Sequence, residues 1–159
     1  MAFRLVTSGG DVRDTSMLNM YASGVVKNGS VVEFSRTGGQ GVYPGTSSST
    51  TTNIFGICMD YAQGASDVQV KVIPFVPGQL WEADCVNAAS TAQLGLNHVL
   101  DDHLNVRNTA TDKGAGNAFT AVFRAVAMTS LTTGSGKLIG YFRMQEAPVF
   151  SSSTAGGHL

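Results

Sequence analysis

Residues 66–85 read SDVQVKVIPFVPGQLWEADC, and this stretch decides the fold class of the chain. The valines at 68, 70 and 72 share one face of an extended chain and residues 69, 71 and 73 share the other, which is the two-residue period of a β-strand. Pro74 and Pro77 have no N–H to donate to a central ladder, so the chain must turn, reach a sheet edge or change sheets there. Because QLWEADC then resumes the strand pattern, the stretch predicts two strands separated by a break.

Similar patterns recur along the rest of the chain. Asn28-Gly29 is a strong hairpin signal, since both residue types tolerate positive φ, and it predicts strands over 24–27 and 30–35. Gly56 within a predicted strand over 54–62 marks a bulge or a close backbone approach. Residues 37–53 are predicted to be one long loop. Further hairpins are predicted within 92–108 and between 118–128 and 137–144, and the helical alternative for 118–128 is set aside because its Phe and Ala residues also fit a period of two.

Short strands at near-regular spacing, with turn signals between them, predict an all-β protein. We expect a single antiparallel barrel or sandwich with an extended N-terminal arm. The predicted organisation is an arm over 1–16, a β domain over 17–146 and a low-complexity C-terminal tail over 147–159. No internal repeat is evident in the sequence.

Composition excludes several classes of function. Charged residues make up 13% of the 159 residues, where about a quarter is usual. The net charge is −1 and the charges are scattered, so no basic face is available for direct binding of nucleic acid. Apolar runs stop far short of the ~20 residues that span a bilayer, and the N-terminus lacks the apolar core of a secretory signal. We therefore expect neither a nucleic-acid partner nor a membrane.

Candidate contact residues come from the arm and from the second strand of the opening stretch. Phe3, Leu5 and Val6 form a short apolar patch with no partner nearby in sequence, so we expect them to dock on something, with fraying of the terminus as the alternative. Trp81 is a candidate anchor for a core or an interface. The predicted partner-binding residues are therefore Phe3, Leu5, Val6 and Trp81.

Few residues point to catalysis or metal binding. His98 and His103 flank Asp101-Asp102 in HVLDDH, which would bind a metal only with a third, remote ligand and otherwise forms a polar turn. Glu82 and Asp84 share a strand face, as paired catalytic carboxylates and ordinary surface carboxylates both do. No GxSxG element positions a nucleophile, and GSGK at 134–137 lacks the spacing of a phosphate-binding loop. We predict no catalytic residue, no metal and no cofactor.

Cys58 and Cys85 have no CxxC partner. Since no export signal is evident, the prediction is two reduced thiols in or near the core, with a disulfide between neighbouring strands as the alternative.

GVVKNGSVVEF at 24–34 and NIFGICMDYAQGASDVQVKVIPFVPGQLWEAD at 53–84 together resemble the layout of the capsid decoration, or cement, proteins of tailed bacteriophages. In that layout a strand after a Gly-containing turn leads to a Gly-Ile element, here FGI at 55–57, then to a valine-alternating strand, a turn and a second strand. The resemblance covers Gly24 to Asp84, and the C-terminal hairpin matches no pattern of that family.

The resemblance implies a structural protein that binds the outer surface of the shell of major capsid protein and braces the head. It implies homotrimers at local threefold positions, a location on the capsid exterior after assembly in the host cytoplasm, and no active site. Two alternatives remain open from the residues themselves. One is another virion β module, from a tail, spike or fibre, that binds a host-surface glycan through aromatic residues around Trp81. The other is a β-barrel enzyme that uses His98, His103 and a remote carboxylate with a metal.

Overall fold

The computed structural model describes residues 3–7, 17–34, 41–63, 68–108, 119–130 and 136–143. The predicted all-β class is confirmed. Within the described ranges the chain forms eleven strands: β1 (Arg4–Thr7), β2 (Leu18–Ala22), β3 (Ser30–Phe34), β4 (Gly41–Pro44), β5 (Ile54–Cys58), β6 (Val68–Pro74), β7 (Leu80–Cys85), β8 (Asn97–Leu100), β9 (Asn105–Arg107), β10 (Phe123–Met128) and β11 (Leu138–Phe142). A single 3-10 turn, Thr91–Gln93, interrupts the connection from β7 to β8 among these residues.

The strands close into two five-stranded rings, where the sequence predicts a single antiparallel barrel or sandwich. The first barrel has the order β2-β4-β3-β5-β6. The second has the order β7-β9-β8-β10-β11, because β7 pairs with both β11 and β9. Each barrel is antiparallel except at one parallel pair, β2 with β4 and β7 with β9. The break at Pro74 and Pro77 is the crossing from one barrel to the other.

The two barrels repeat one another in topology and in register. Their pairings can be followed around each ring, strand by strand. In the first barrel the pairs are Ala22 with Val42, Val42 with Phe34, Val32 with Gly56, Gly56 with Pro74 and Val72 with Leu18. In the second they are Cys85 with Val106, Val106 with Leu100, His98 with Phe123, Phe123 with Phe142 and Gly140 with Trp81. The number of residues along each strand between one pair and the next is the same in both barrels. Leu18 therefore occupies the position equivalent to Trp81, and Phe34 the position equivalent to Leu100.

The alternation in β6 is confirmed, and it explains the two cores. Val70 and Val72 are buried inside the first barrel, while Gln69 and Lys71 are exposed. Ile73 lies on the outer face of the barrel and is nevertheless buried, because the second barrel covers it. The interior of the first barrel forms one apolar cluster, made of Ala22, Val26, Val32, Val42, Cys58, Ala62, Val70 and Val72.

The larger core spans the joint between the barrels. Val31, Ile57 and Ile73 pair across β3, β5 and β6 and form a row on the outer face of the first barrel. This outer row packs on side chains from the second barrel, namely Trp81, Ala83, Leu100, Val106, Phe123, Ala125, Leu138 and Phe142. Three strands of the first barrel are therefore buried on both faces, which explains runs such as SVV in β3.

The predictions for individual turns and loops are confirmed in part. The turn at Asn28-Gly29 is confirmed, with Gly29 at φ 87°, but Val26 forms a bridge with Ala62 instead of the predicted hairpin strand. Gly56 lies where a Cβ would clash with the carbonyl oxygen of Ile73, which confirms a close backbone approach. The predicted loop over 37–53 is wrong in part, because Gly41–Pro44 form β4. The predicted tail over 147–159 lies outside the described residues.

The extended arm is not confirmed for the residues that the structure describes at the N-terminus. Arg4–Thr7 form β1, which pairs antiparallel with β7 and extends the sheet of the second barrel. Phe3 is buried in the larger core, and its N–H donates to the carbonyl of Gly29 at 3.1 Å. Burying this aromatic ring removes apolar area from water, which favours docking on the chain itself. Residues 8–16 lie outside the described part.

Candidate functional site

Three of the four predicted contact residues meet at the joint between the barrels. Phe3, Leu5 and Trp81 line a groove of about 530 Å³, in which Leu5 lies opposite Trp81 across β1 and β7. The first barrel contributes Asn28, Met59 and Ile73 to the groove. Val6 lies elsewhere on β1, and it is 47% exposed. The structure thus brings Phe3 and Leu5 of the predicted arm together with Trp81 within one chain.

Trp81 is a core residue here, since it is only 1% exposed. Its ring packs edge-on against Phe75 and Phe142, with centroid distances of 5.9 and 6.4 Å. The indole N–H has no hydrogen-bond partner among the described residues. The stacking platform for a glycan that the sequence suggested around Trp81 is therefore not exposed in this structure.

A charged network crosses the outer surface of three neighbouring strands beside the groove. Arg4 Nη2 lies 2.7 Å from Glu82 Oε2, and Lys137 Nζ lies 3.4 Å from Glu82 Oε1 and 2.8 Å from Asp84 Oδ1. Arg4 and Glu82 face each other in the register of β1 and β7. The two carboxylates predicted to share a face do so, and they are partners of cations.

The electrostatics of this network favour the ionised form of Asp84. Burial works to raise the pKa of Asp84, but hydrogen bonds and positive charge, with Lys137 as their largest source, outweigh burial and the pKa lies below its usual value. The hydrogen bond to Asp84 raises the pKa of Lys137. Sequence reasoning missed Arg4 and Lys137 as partners, because Arg4 on β1 and Lys137 just before β11 are remote from Glu82 in sequence. The arrangement fixes β1 to the second barrel, which is a structural task.

A second groove lies at the crossing between the barrels. It has a volume of about 390 Å³ and is lined mainly by apolar residues, among them Phe75, Pro77, Leu80, Tyr141 and Phe142. Gln79 is buried here and fixes the crossing, since its side chain accepts from the N–H of Val76 at 3.0 Å and donates to the carbonyl of Pro74 at 3.2 Å. The rings of Phe75 and Phe142 stack with centroids 4.1 Å apart. The crossing is therefore held rigidly by both packing and hydrogen bonds.

The histidines of HVLDDH bond to different partners. His98 is buried in the second barrel, where its Nε2 lies 3.1 Å from the carbonyl oxygen of Gln93. His103 lies in the turn between β8 and β9, where its Nδ1 is 2.8 Å from Ser30 Oγ of the first barrel. In the part of the chain that the structure describes, no three His, Cys, Asp or Glu side chains form a group that would hold a metal.

The contacts of His103 fasten the turn between β8 and β9 to the first barrel. Its carbonyl accepts from the N–H of Val31 at 2.7 Å. Ser30 Oγ accepts from the N–H of Lys27 at 2.8 Å, so its own hydrogen is available for Nδ1 of a neutral imidazole. Burial lowers the pKa of His103, and the charge of Lys27 adds to this while Asp102 opposes it. The joint therefore favours the neutral histidine.

The apolar end of the first barrel is a third candidate surface. Leu18 and Phe34 are 44% and 43% exposed there, and Met17 beside them is also exposed. Phe34 packs against the half-buried Phe55 with ring centroids 4.5 Å apart. We call Met17, Leu18, Phe34 and Phe55 the first mouth. Adjacent exposed apolar side chains mark a contact surface more often than isolated ones.

Cys58 and Cys85 are both free thiols, as predicted. Burial raises the pKa of Cys58, and it raises that of Cys85 to about 11.

Neither a comparison of the sequence with protein-family models nor one with curated proteins finds a match. Among the described residues, no helix has the length and apolar character needed to cross a membrane.

Proposed function

We propose that this chain is a structural virion protein, which binds the outer surface of the shell of major capsid protein and stabilises the head. The observation that carries the proposal is the joint, where three strands of the first barrel are buried on both faces and the two barrels share one core. The resemblance of 24–84 to phage decoration proteins points to the same role. The charged network and the histidine contacts are both used to hold this body together.

A shared core suits a mechanical task. Protein interiors are packed at crystal-like density and transmit strain, so two barrels that share a core resist relative movement. Phe3 adds to this rigidity, because it contacts Phe123 and Phe142 of the second barrel while its N–H bonds to Gly29 of the first. A brace that spans two neighbouring capsid subunits needs such a body.

The surface is suited to contact with protein. Val6 stays exposed on the short strand β1, whose only partner among the named strands is β7. Its second edge therefore offers backbone groups for strand addition, and Val6 remains a proposed contact residue. A homotrimer that binds several sites of a repeated lattice would have an apparent affinity for the shell orders of magnitude higher than that of one weak contact.

The glycan-binding alternative finds support only in tyrosines of the first barrel. Tyr21 and Tyr43 are exposed on neighbouring parallel strands, and Gly41 on the strand of Tyr43 pairs with Tyr21. Aromatic rings with a polar edge suit sugar stacking. Tyr43→Ala would abolish binding on a glycan array if this alternative held.

Co-sedimentation tests the proposed function. The purified chain is mixed with empty shells assembled from the major capsid protein encoded in the same genome, and the pellet is measured across chain concentration. Saturable binding with a fixed ratio of chain to capsid subunit is expected. Absence of the chain from the pellet at about 50 μM, a concentration at which even weak interfaces with Kd near 1 μM are saturated, would overturn the proposal.

A further inference from the structure

The equivalent ends of the two barrels differ in how far they are covered by other residues, although the strand registers of the barrels match. Trp81 and Leu100 lie at the mouth of the second barrel and are each 1% exposed. Leu18 and Phe34 occupy the equivalent positions of the first mouth, and they are 44% and 43% exposed. The chain thus contains one covered and one uncovered copy of the same structural feature.

The outer row of the first barrel covers the end of the second barrel that contains Trp81 and Leu100, and Phe3 and Phe75 add to this cover. Val31 and Leu100 both border Gly45, since a Cβ built there would lie 3.3 Å from Val31 Cγ1 and 3.2 Å from Leu100 Cδ1. Ile73 and Trp81 line the same groove at the joint. The joint therefore places Val31 near Leu100 and Ile73 near Trp81.

The second barrel carries an equivalent outer row, whose side chains are partly exposed. The register places Asn97, Arg124 and Tyr141 where the first barrel has Val31, Ile57 and Ile73. All three are partly exposed, and Val126 on the same strand as Arg124 is 43% exposed. Tyr and Arg are enriched at protein interfaces, and an amphipathic row suits a contact that must also be stable in water before assembly.

We propose that the chain associates with itself head to tail, with the first mouth of one copy docked on Asn97, Arg124 and Tyr141 of the next copy. This contact would repeat the joint that already exists within each chain. By equivalence, Leu18 lies near Tyr141 of the next copy, and Phe34 lies near Asn97 of the next copy. The proposed occupant of the first mouth is a second copy, because the outer row of the first barrel lies over the equivalent end of the second barrel within each chain.

The symmetry of the contact has a consequence. Two different surfaces meet, so the interface is heterologous, and it generates a closed ring of three or more copies or an open filament. It does not generate an isologous dimer. The inference concerns self-association alone and is independent of what shell the protein binds.

Light scattering coupled to size exclusion tests the inference on the full chain between about 1 and 100 μM, a range that brackets Kd values typical of weak to moderate interfaces. The wild type is expected to reach a mass of at least three chains. Leu18→Lys and Tyr141→Glu are each expected to raise the dissociation constant at least tenfold. The double variant, which places lysine opposite glutamate, is expected to recover most of the association. Tyr61→Lys is the matched control, since Tyr61 is 57% exposed and belongs to neither surface.

Thermal unfolding of each variant, followed by circular dichroism, separates loss of folding from loss of contact. The inference fails if the wild type is a monomer at 100 μM or stops at a dimer. It also fails if a folded Leu18→Lys variant associates as the wild type does, or if the double variant dissociates as far as the singles do. Should any of these results accompany shell binding in the co-sedimentation experiment, the proposed function would stand without this contact.

Discussion

The ring of Phe3 meets that of Phe142 edge-on with centroids 5.1 Å apart, which joins the first described residue of the chain to β11, the last strand that the structure describes. Because Phe3 is buried among aromatic rings, Phe3→Ala removes a core side chain and leaves a cavity. The free energy of unfolding should fall by about 3 kcal/mol. Urea denaturation followed by tryptophan fluorescence measures it. Val6→Ala, on the same strand but half exposed, is the control and should change stability by less than about 0.5 kcal/mol. A Phe3→Ala variant as stable as this control would mean that β1 is not docked.

The network of Arg4, Glu82, Asp84 and Lys137 gives a prediction about acid stability. Lys137→Met should lower the free energy of unfolding at pH 7 by roughly 1–2 kcal/mol, between the values for exposed and buried ion pairs. The pKa of Asp84 is lower in the folded state than its usual 3.8, so its contribution is present above that value and is lost as pH falls through the folded-state pKa. The stability difference between wild type and variant should therefore shrink as pH falls from about 5 toward 2.

Urea titrations at several pH values measure this difference. Arg107→Ala is the control, because the Arg107 and Asp101 side chains of that pair are both more than a third exposed, and it should cost less than about 0.5 kcal/mol. A Lys137→Met difference that stays constant with pH would show that Asp84 does not draw its stabilisation from Lys137.

The contact between Ser30 and His103 predicts a second pH dependence. The pKa of His103 is lowered in the folded state, so the fold favours the neutral ring, and its contribution is present above the usual value of 6.5 and lost as pH falls through the folded-state pKa. Wild-type stability should therefore decline as pH falls from about 7 toward 5. His103→Gln should flatten the stability curve over that range. If the curve for the variant keeps the slope of the wild type, another group is responsible.

Ser30→Ala tests the same joint without a change in charge. The side chain is fully buried, and its loss leaves the N–H of Lys27 and Nδ1 of His103 without their partner. The free energy of unfolding should fall by about 1–3 kcal/mol at pH 7.5. Ser48→Ala, on an exposed turn, serves as the control. Equal stability of the two variants would indicate that water replaces the hydroxyl at no cost.

The cysteines should react slowly in the folded protein. With a pKa of about 11, Cys85 is roughly one-thousandth thiolate at pH 8, and the thiolate is the reactive form. Labelling with a chromogenic disulfide reagent should be at least tenfold slower than for free glutathione, and it should reach two thiols per chain in urea. Recovery of fewer than two thiols without reductant would instead indicate a disulfide.

Strand positions were predictable from the sequence where one face of a strand is buried and the other is exposed to solvent, as the alternation of Val70, Lys71 and Val72 shows. β4 was missed because Gly41–Pro44 is a short strand set among turn-forming residues. The repeat was missed because equivalent positions share geometry and not chemistry, as with Val32 and His98. The ion pairs around Glu82 could not be predicted from the sequence for another reason. Arg4 and Lys137 come close to Glu82 only after strands that are distant in sequence have paired.

The thermal stability of capsid shells tests the central claim most directly. Empty shells of the major capsid protein are heated with and without saturating chain, and calorimetry records the temperature at which they rupture. The account predicts a higher rupture temperature for the decorated shells, with no such shift for shells mixed with the chain after it has been unfolded and alkylated. An unchanged rupture temperature in the presence of bound chain would contradict a stabilising role.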